Sequence, residues 1–76
     1  MQIQYSKQAI KFLNKVDFSS KQRIINAIHN IPDGDIKKLQ GCMSYRLRVG
    51  SYRIIFDKSG NIIYIEKIDN RGQVYK

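Results

Sequence analysis

Cysteine, proline and histidine each occur once in this sequence, tryptophan is absent, and Asp and Glu together number only 6. A lone Cys42 excludes an intramolecular disulfide. With no signal-like segment at the N-terminus, it points to a reducing, cytoplasmic setting. Cys42 and His29 are too few for a zinc site of the usual four-ligand kind, and no cofactor or metal is expected. No apolar run approaches the roughly 20 residues that cross a bilayer, so no membrane association by a span is expected. The 76 residues allow one domain, 1–76, near the size where a single core is only marginally sufficient. What the sequence does have is basic charge: 14 Lys and Arg against 6 acids, a formal net charge of +8. Such an excess points to a polyanionic partner: nucleic acid, an anionic membrane surface or an acidic protein.

Along the chain, "MQIQY" alternates as a short half-buried strand does. Ser6 stands at a helix N-cap position, and Ala9, Ile10, Phe12, Leu13 and Val16 follow at helical spacing with lysines on the other side. "DFSS" at 17–20 makes a turn with a second N-cap candidate. Ile24, Ile25, Ile28 and Ile31 then continue as a second amphipathic helix, which Pro32 ends. His29 lies in that helix and reads as a surface residue. From Asp33 to Cys42 the periodicity stops, with Ile36 and Leu39 as inward anchors and Lys37 and Lys38 between them. Strands are expected at 45–49, 52–57 and 62–68, with Val74-Tyr75 adding a last short one. The order β-α-α-β-β-β(-β) describes an α+β domain, a helical hairpin packed against a twisted antiparallel sheet.

The segment "YRLRVGSYRIIF" carries three arginines and no acid. Gly50-Ser51 suits a type II′ turn, which pairs Val49 with Tyr52, Arg48 with Arg53, Leu47 with Ile54 and Tyr45 with Phe56. Alternation then collects the apolar side chains on one face and Arg46, Arg48 and Arg53 on the other. Like charges facing each other across a sheet are destabilising, so the cluster is expected to meet an anion. Guanidinium offers forked donors that match phosphate oxygens and keeps its charge. A two-residue Ser59-Gly60 loop would set Glu66 opposite Arg53 and bring Tyr64 to the same face as a stacking surface for a base.

The stretches "LQGCMSYRLRVGSYRIIFD" and "IEKIDNRGQVYK" resemble the bacterial RelE/ParE toxin superfamily. Its members carry Leu-x-Gly, then Tyr/Trp-Arg-x-Arg-x-Gly-x-Tyr-Arg, and near the end a strand leading into His-Arg-x-x-Val-Tyr. The resemblance spans nearly the whole chain and implies a strand, two helices and a run of strands. It implies a toxin that is neutralised by an acidic, partly disordered antitoxin in a toxin–antitoxin hetero-oligomer. RelE-like members cleave messenger RNA in the ribosomal decoding site, whereas ParE-like members poison DNA gyrase without catalysis. The resemblance matches Arg53 to a contact with the scissile phosphate and Arg71 to phosphate or leaving-group stabilisation. It matches Tyr75 to substrate orientation or stacking, and Arg46 and Arg48 to basic positions of the site. Asn70 stands where histidine is frequent, and Gly72-Gln73 where Arg-Glu is frequent, so an imidazole acid or base is missing.

An endoribonuclease that acts through the substrate's own 2′-OH without a metal is the leading expectation, with Arg46, Arg48, Arg53, Arg71 and Tyr75 as its catalytic residues. Lys37, Lys38 and Tyr64 are candidate contacts to messenger and ribosomal RNA. The general base stays open, Asp69 being one candidate. A gyrase inhibitor and a non-toxic RNA-binding module are the alternatives.

Overall fold

Two side-chain caps organise the N-terminal half. In the computed structural model, which describes residues 2–31, 33–39 and 44–70, Ser6 Oγ accepts from the Ala9 N–H at 3.1 Å and starts α1 (Lys7–Lys15). Asp17 Oδ2 accepts from the Ser20 N–H at 3.0 Å and starts α2 (Phe18–His29). Each cap satisfies a first-turn donor that has no intrahelical partner. The strands are β1 (Gln2–Tyr5), β2 (Asp35–Lys38), β3 (Ser44–Val49), β4 (Tyr52–Ser59) and β5 (Ile62–Asn70). They form one sheet in the order β1-β5-β4-β3-β2.

The α+β order expected from the sequence is present, with its extra strand in a different place. β2 comes from the segment read as aperiodic, while Val74-Tyr75 lies outside the described residues. Four residues with one inward apolar side chain, Ile36, cannot display a period of two, and their strand character comes from pairing with β3. The sheet is antiparallel except where β1 pairs in parallel with β5, which makes it mixed. Alternation in "MQIQY" reveals a strand but not its direction.

Both helices cover one face of the sheet. Ala9, Leu13, Ile24 and Ile28 from the helices meet Leu47, Ile54, Phe56, Ile63, Ile65 and Ile68 from the strands, all buried. Tyr45 and Phe56 stack across β3 and β4 with centroids 5.4 Å apart, and Phe12 meets Tyr52 edge-on at 5.9 Å. Beyond the end of β1, side chains take over the outer edge of β5. Ser6 Oγ donates to the Glu66 carbonyl at 2.6 Å, and the Gln8 amide both donates to the Ile68 carbonyl and accepts from its N–H, each at 2.9 Å. A glutamine side chain here does what a neighbouring strand would do for those backbone groups.

Candidate functional site on the open sheet face

The first hairpin has the register the sequence predicts. Val49 pairs with Tyr52, Arg48 with Arg53, Leu47 with Ile54 and Tyr45 with Phe56. Gly50 takes φ +60 and, among the described residues, no non-glycine residue has positive φ, which fits a type II′ turn. Arg46, Arg48 and Arg53 therefore face away from the helices, as expected.

The second hairpin differs by one residue. Ser59 pairs with Ile62, so the loop is Gly60-Asn61, with Gly60 at φ +57 in its first central position. The glycine rule of the first turn governs this one too, and it displaces the Ser59-Gly60 loop read from the sequence. A bulge at Glu66 in β5, opposite the Ile55–Phe56 step, then advances the pairing once more, so that Ile54 meets Ile68 and Arg53 meets Asp69. Without that extra residue, Lys67 would oppose buried Ile54. The bulge instead sends Ile68 to the core and leaves Lys67 and Asp69 on the open face. Glu66 is not opposite Arg53.

Residues of the open face align in rows across the strands. The row Asp35, Arg48, Arg53, Asp69 runs over β2, β3, β4 and β5. Its two arginines repel across β3 and β4, but each has an acid on its outer side. Arg53 Nη2 lies 3.1 Å from Asp69 Oδ2, and Arg48 Nε lies 3.8 Å from Asp35 Oδ2. Arg48 and Arg53, which the sequence shows without an acid apart from the expected Glu66, are thus paired with Asp35 and Asp69: the strand that carries Asp35 has no periodic signal, and the register that brings Asp69 to Arg53 depends on the bulge. The next row holds Lys37, Arg46, Ile55 and Lys67. Among the described residues no ion pair reaches Lys37 or Arg46, and Arg46 Nε is buried without an acceptor. The uncompensated charge of the face therefore centres on Arg46 and Lys37.

A third row is acidic and polar. Ser44 pairs with Asp57, which pairs with Tyr64. The Ser44 hydroxyl lies 2.7 Å from Asp57 Oδ1 and 2.9 Å from Glu66 Oε2. Tyr64 is exposed on the face expected for it, four positions along β4 from Arg53, roughly 13 Å at the rise of a strand. Lys37 shares the arginine face, but Lys38, beside Tyr45, falls on the other one. Arg71 and Tyr75 lie outside the described residues. A cleft of about 340 Å³, lined by Phe12, Lys15, Val16, Asp17, Tyr52 and Asn70, opens on the helix side and holds none of the predicted site residues. Among the described residues no group of His, Cys, Asp and Glu could hold a metal ion, and no helix is long and apolar enough to cross a membrane.

Such a face can hold a polyanion by its middle row and present Arg48 and Arg53 beside it. No family model matches the chain. Over 84 residues it is 30% identical to Toxin RelE3 of Methanocaldococcus jannaschii, covering 99% of this chain and 96% of that protein. The fold is similar to a chain of the RelB-RelE antitoxin-toxin complex of Methanococcus jannaschii, with TM-score 0.76, 30% identity and coverage of 95% and 94% of the two chains. It is also similar to a chain of the archaeal RelE-RelB complex of Pyrococcus horikoshii OT3, with TM-score 0.74, 26% identity and coverage of 95% and 96%. At 16% identity and TM-score 0.80, a chain of the RelBE2 complex of Mycobacterium tuberculosis, matched over 95% of this chain and 92% of its own, shares the fold.

Proposed function

The chain belongs to the RelE family of type II toxin–antitoxin toxins, and from that premise we propose that it inhibits translation by cutting messenger RNA in the ribosomal decoding site. The observation that carries the reading is the open sheet face, where Arg46, Arg48, Arg53 and Lys37 stand together on the side opposite the two described helices.

RNA brings its own nucleophile. In the cleavage, the 2′-oxygen attacks the adjacent phosphorus, the bond to the 5′-oxygen breaks, and a cyclic phosphate and a free 5′-hydroxyl result. Much of the catalysis in such a displacement is positioning and electrostatic stabilisation. Arg53 is assigned to the scissile phosphate and Arg48 to the 2′-OH side. Arg46 with Lys37 binds the neighbouring backbone, where their unpaired charge gives affinity. Arg71 and Tyr75, which the resemblance of "NRGQVY" matches to the family motif, are assigned by that resemblance to the leaving group and to substrate orientation. Tyr64 is the base-stacking surface at the far end of the sheet.

The partner proposed for the free toxin is an acidic antitoxin. The solved relatives are RelB-RelE complexes, and a net charge of +8 on 76 residues favours rapid capture of an acidic chain. The pairing of Arg48 with Asp35 and of Arg53 with Asp69 favours a second reading, a sheet surface that binds protein without chemistry, as in a gyrase inhibitor. One experiment separates the two: brief expression without antitoxin, followed by mapping of messenger ends and inspection of the chromosome. Cuts within ribosome-covered messenger, with DNA intact, support the nuclease. Double-strand breaks with uncut messenger overturn it.

A further inference from the structure

The side-on edge of an arginine, its Nε–H and one Nη, matches the two oxygens of a carboxylate. Between Arg53 and Asp69 only half of that fork is closed. Nη2 reaches Oδ2 at 3.1 Å, whereas Arg53 Nε and Asp69 Oδ1 are both buried and, among the described residues, unpartnered. The same Oδ2 also receives Lys67 Nζ at 3.9 Å. Asp69 thus covers one edge of the guanidinium, while the Arg53 side chain as a whole stays 42% exposed. Its outer donors are left for an anion.

This geometry bears on the open question of the base. Oδ2 is occupied by two cations and Oδ1 is shut away from solvent, so neither oxygen is presented to a 2′-OH. On the reading that this face cleaves RNA, we propose that Asp69 is a positioning residue: it holds Arg53 by its inner edge against repulsion from Arg48 and aims the outer edge at the scissile phosphate. Asp35 shares the row, but among the described residues its ion pair is with Arg48, at the longer distance of 3.8 Å. The bulge in β5 is what delivers Asp69 to this place, since an unbulged register would set Ile68 opposite Arg53.

The carboxylate has two opposed effects, and their separation is the signature. Its charge lies near the phosphate path and weakens binding, while its hold on Arg53 favours the transition state. Asp69→Asn should therefore lower kcat on programmed ribosomes by about 10²-fold, the scale of a misplaced catalytic group, with KM no higher than the parent's. Asp69→Glu, which restores the charge, should recover part of kcat. In parallel, the Arg53 Nε–Hε resonance should be distinct in the parent and solvent-averaged in Asp69→Asn. Parental kcat in Asp69→Asn, or an unchanged Arg53 resonance, overturns the proposal. So does a rise in KM with kcat intact. If the parent leaves ribosome-bound messenger uncut, the nuclease reading falls and takes the catalytic role with it, while the resonance still reports whether Asp69 holds Arg53.

Discussion

Two side chains on one hairpin separate chemistry from folding. Arg53 and Leu47 sit on paired strands, but Arg53 is on the open face and Leu47 is 1% exposed beneath α2. Arg53→Ala removes a cationic donor without opening a core cavity and should cost on the order of 10² to 10³ in cleavage rate. Its ion pair with Asp69 is partly exposed and solvent-screened, and its loss also relieves the repulsion with Arg48, so stability should change by less than about 1 kcal/mol. Leu47→Ala should do the reverse, losing roughly 2–5 kcal/mol through lost burial and a cavity. Denaturant unfolding and single-turnover cleavage on both variants check the pair. The sequence made these opposite roles legible, since a type II′ turn at Gly50 dictates which residues share a face. It did not reveal Asp69, because a bulge is a local insertion that alternation cannot date to one residue.

Elements here end and join through side chains as much as through backbone. The Gln8 amide closes two hydrogen bonds with the Ile68 backbone where β1 has run out. Gln8→Ala leaves both groups without their partner and should cost about 1–3 kcal/mol, seen as a lower denaturation midpoint. The turn at Gly50 is constrained by φ +60; Arg23 Nη2, which would lie 3.2 Å from an added Cβ, is the end of a flexible side chain that can give way. Gly50→Ala should destabilise by about 1–2 kcal/mol from the backbone alone. The cap of α2 gives a pH dependence. Hydrogen bonds from Ser20 hold the Asp17 carboxyl below its ordinary value of 3.8. Its stabilisation is present above that value and is lost as pH falls through the lower folded one. The gap in melting temperature between the parent and Asp17→Ala should close on acidification through that window. A gap that stays constant into strong acid would remove the charged cap from the account.

For the molecule as a whole, charge governs encounter. With a net +8 over a Cα radius of gyration of 11.9 Å, association with an acidic antitoxin should be steered, and its rate should fall as salt screens the field. Stopped-flow mixing at low and high salt tests this, and a flat rate assigns recognition to apolar docking. Exposed Phe18 and Ile10 on the helices are the side chains from which such docking would draw.

The sequence by itself determined the two helices, their caps at Ser6 and within "DFSS", the first hairpin and the side on which its arginines lie. Each follows from local rules: a cap needs a short oxygen-bearing side chain, a helix an apolar stripe, a two-residue hairpin a glycine of positive φ. Tertiary structure alone decided the strand at Asp35–Lys38, the parallel pairing of β1 and the bulge that sets Asp69 beside Arg53. These depend on which backbone finds which partner across the sheet, a non-local choice settled by burying Ile68 and keeping Lys67 out of the core. The charge pattern of the open face is a product of that choice, so a count of arginines and acids in sequence could not disclose which arginines stand paired.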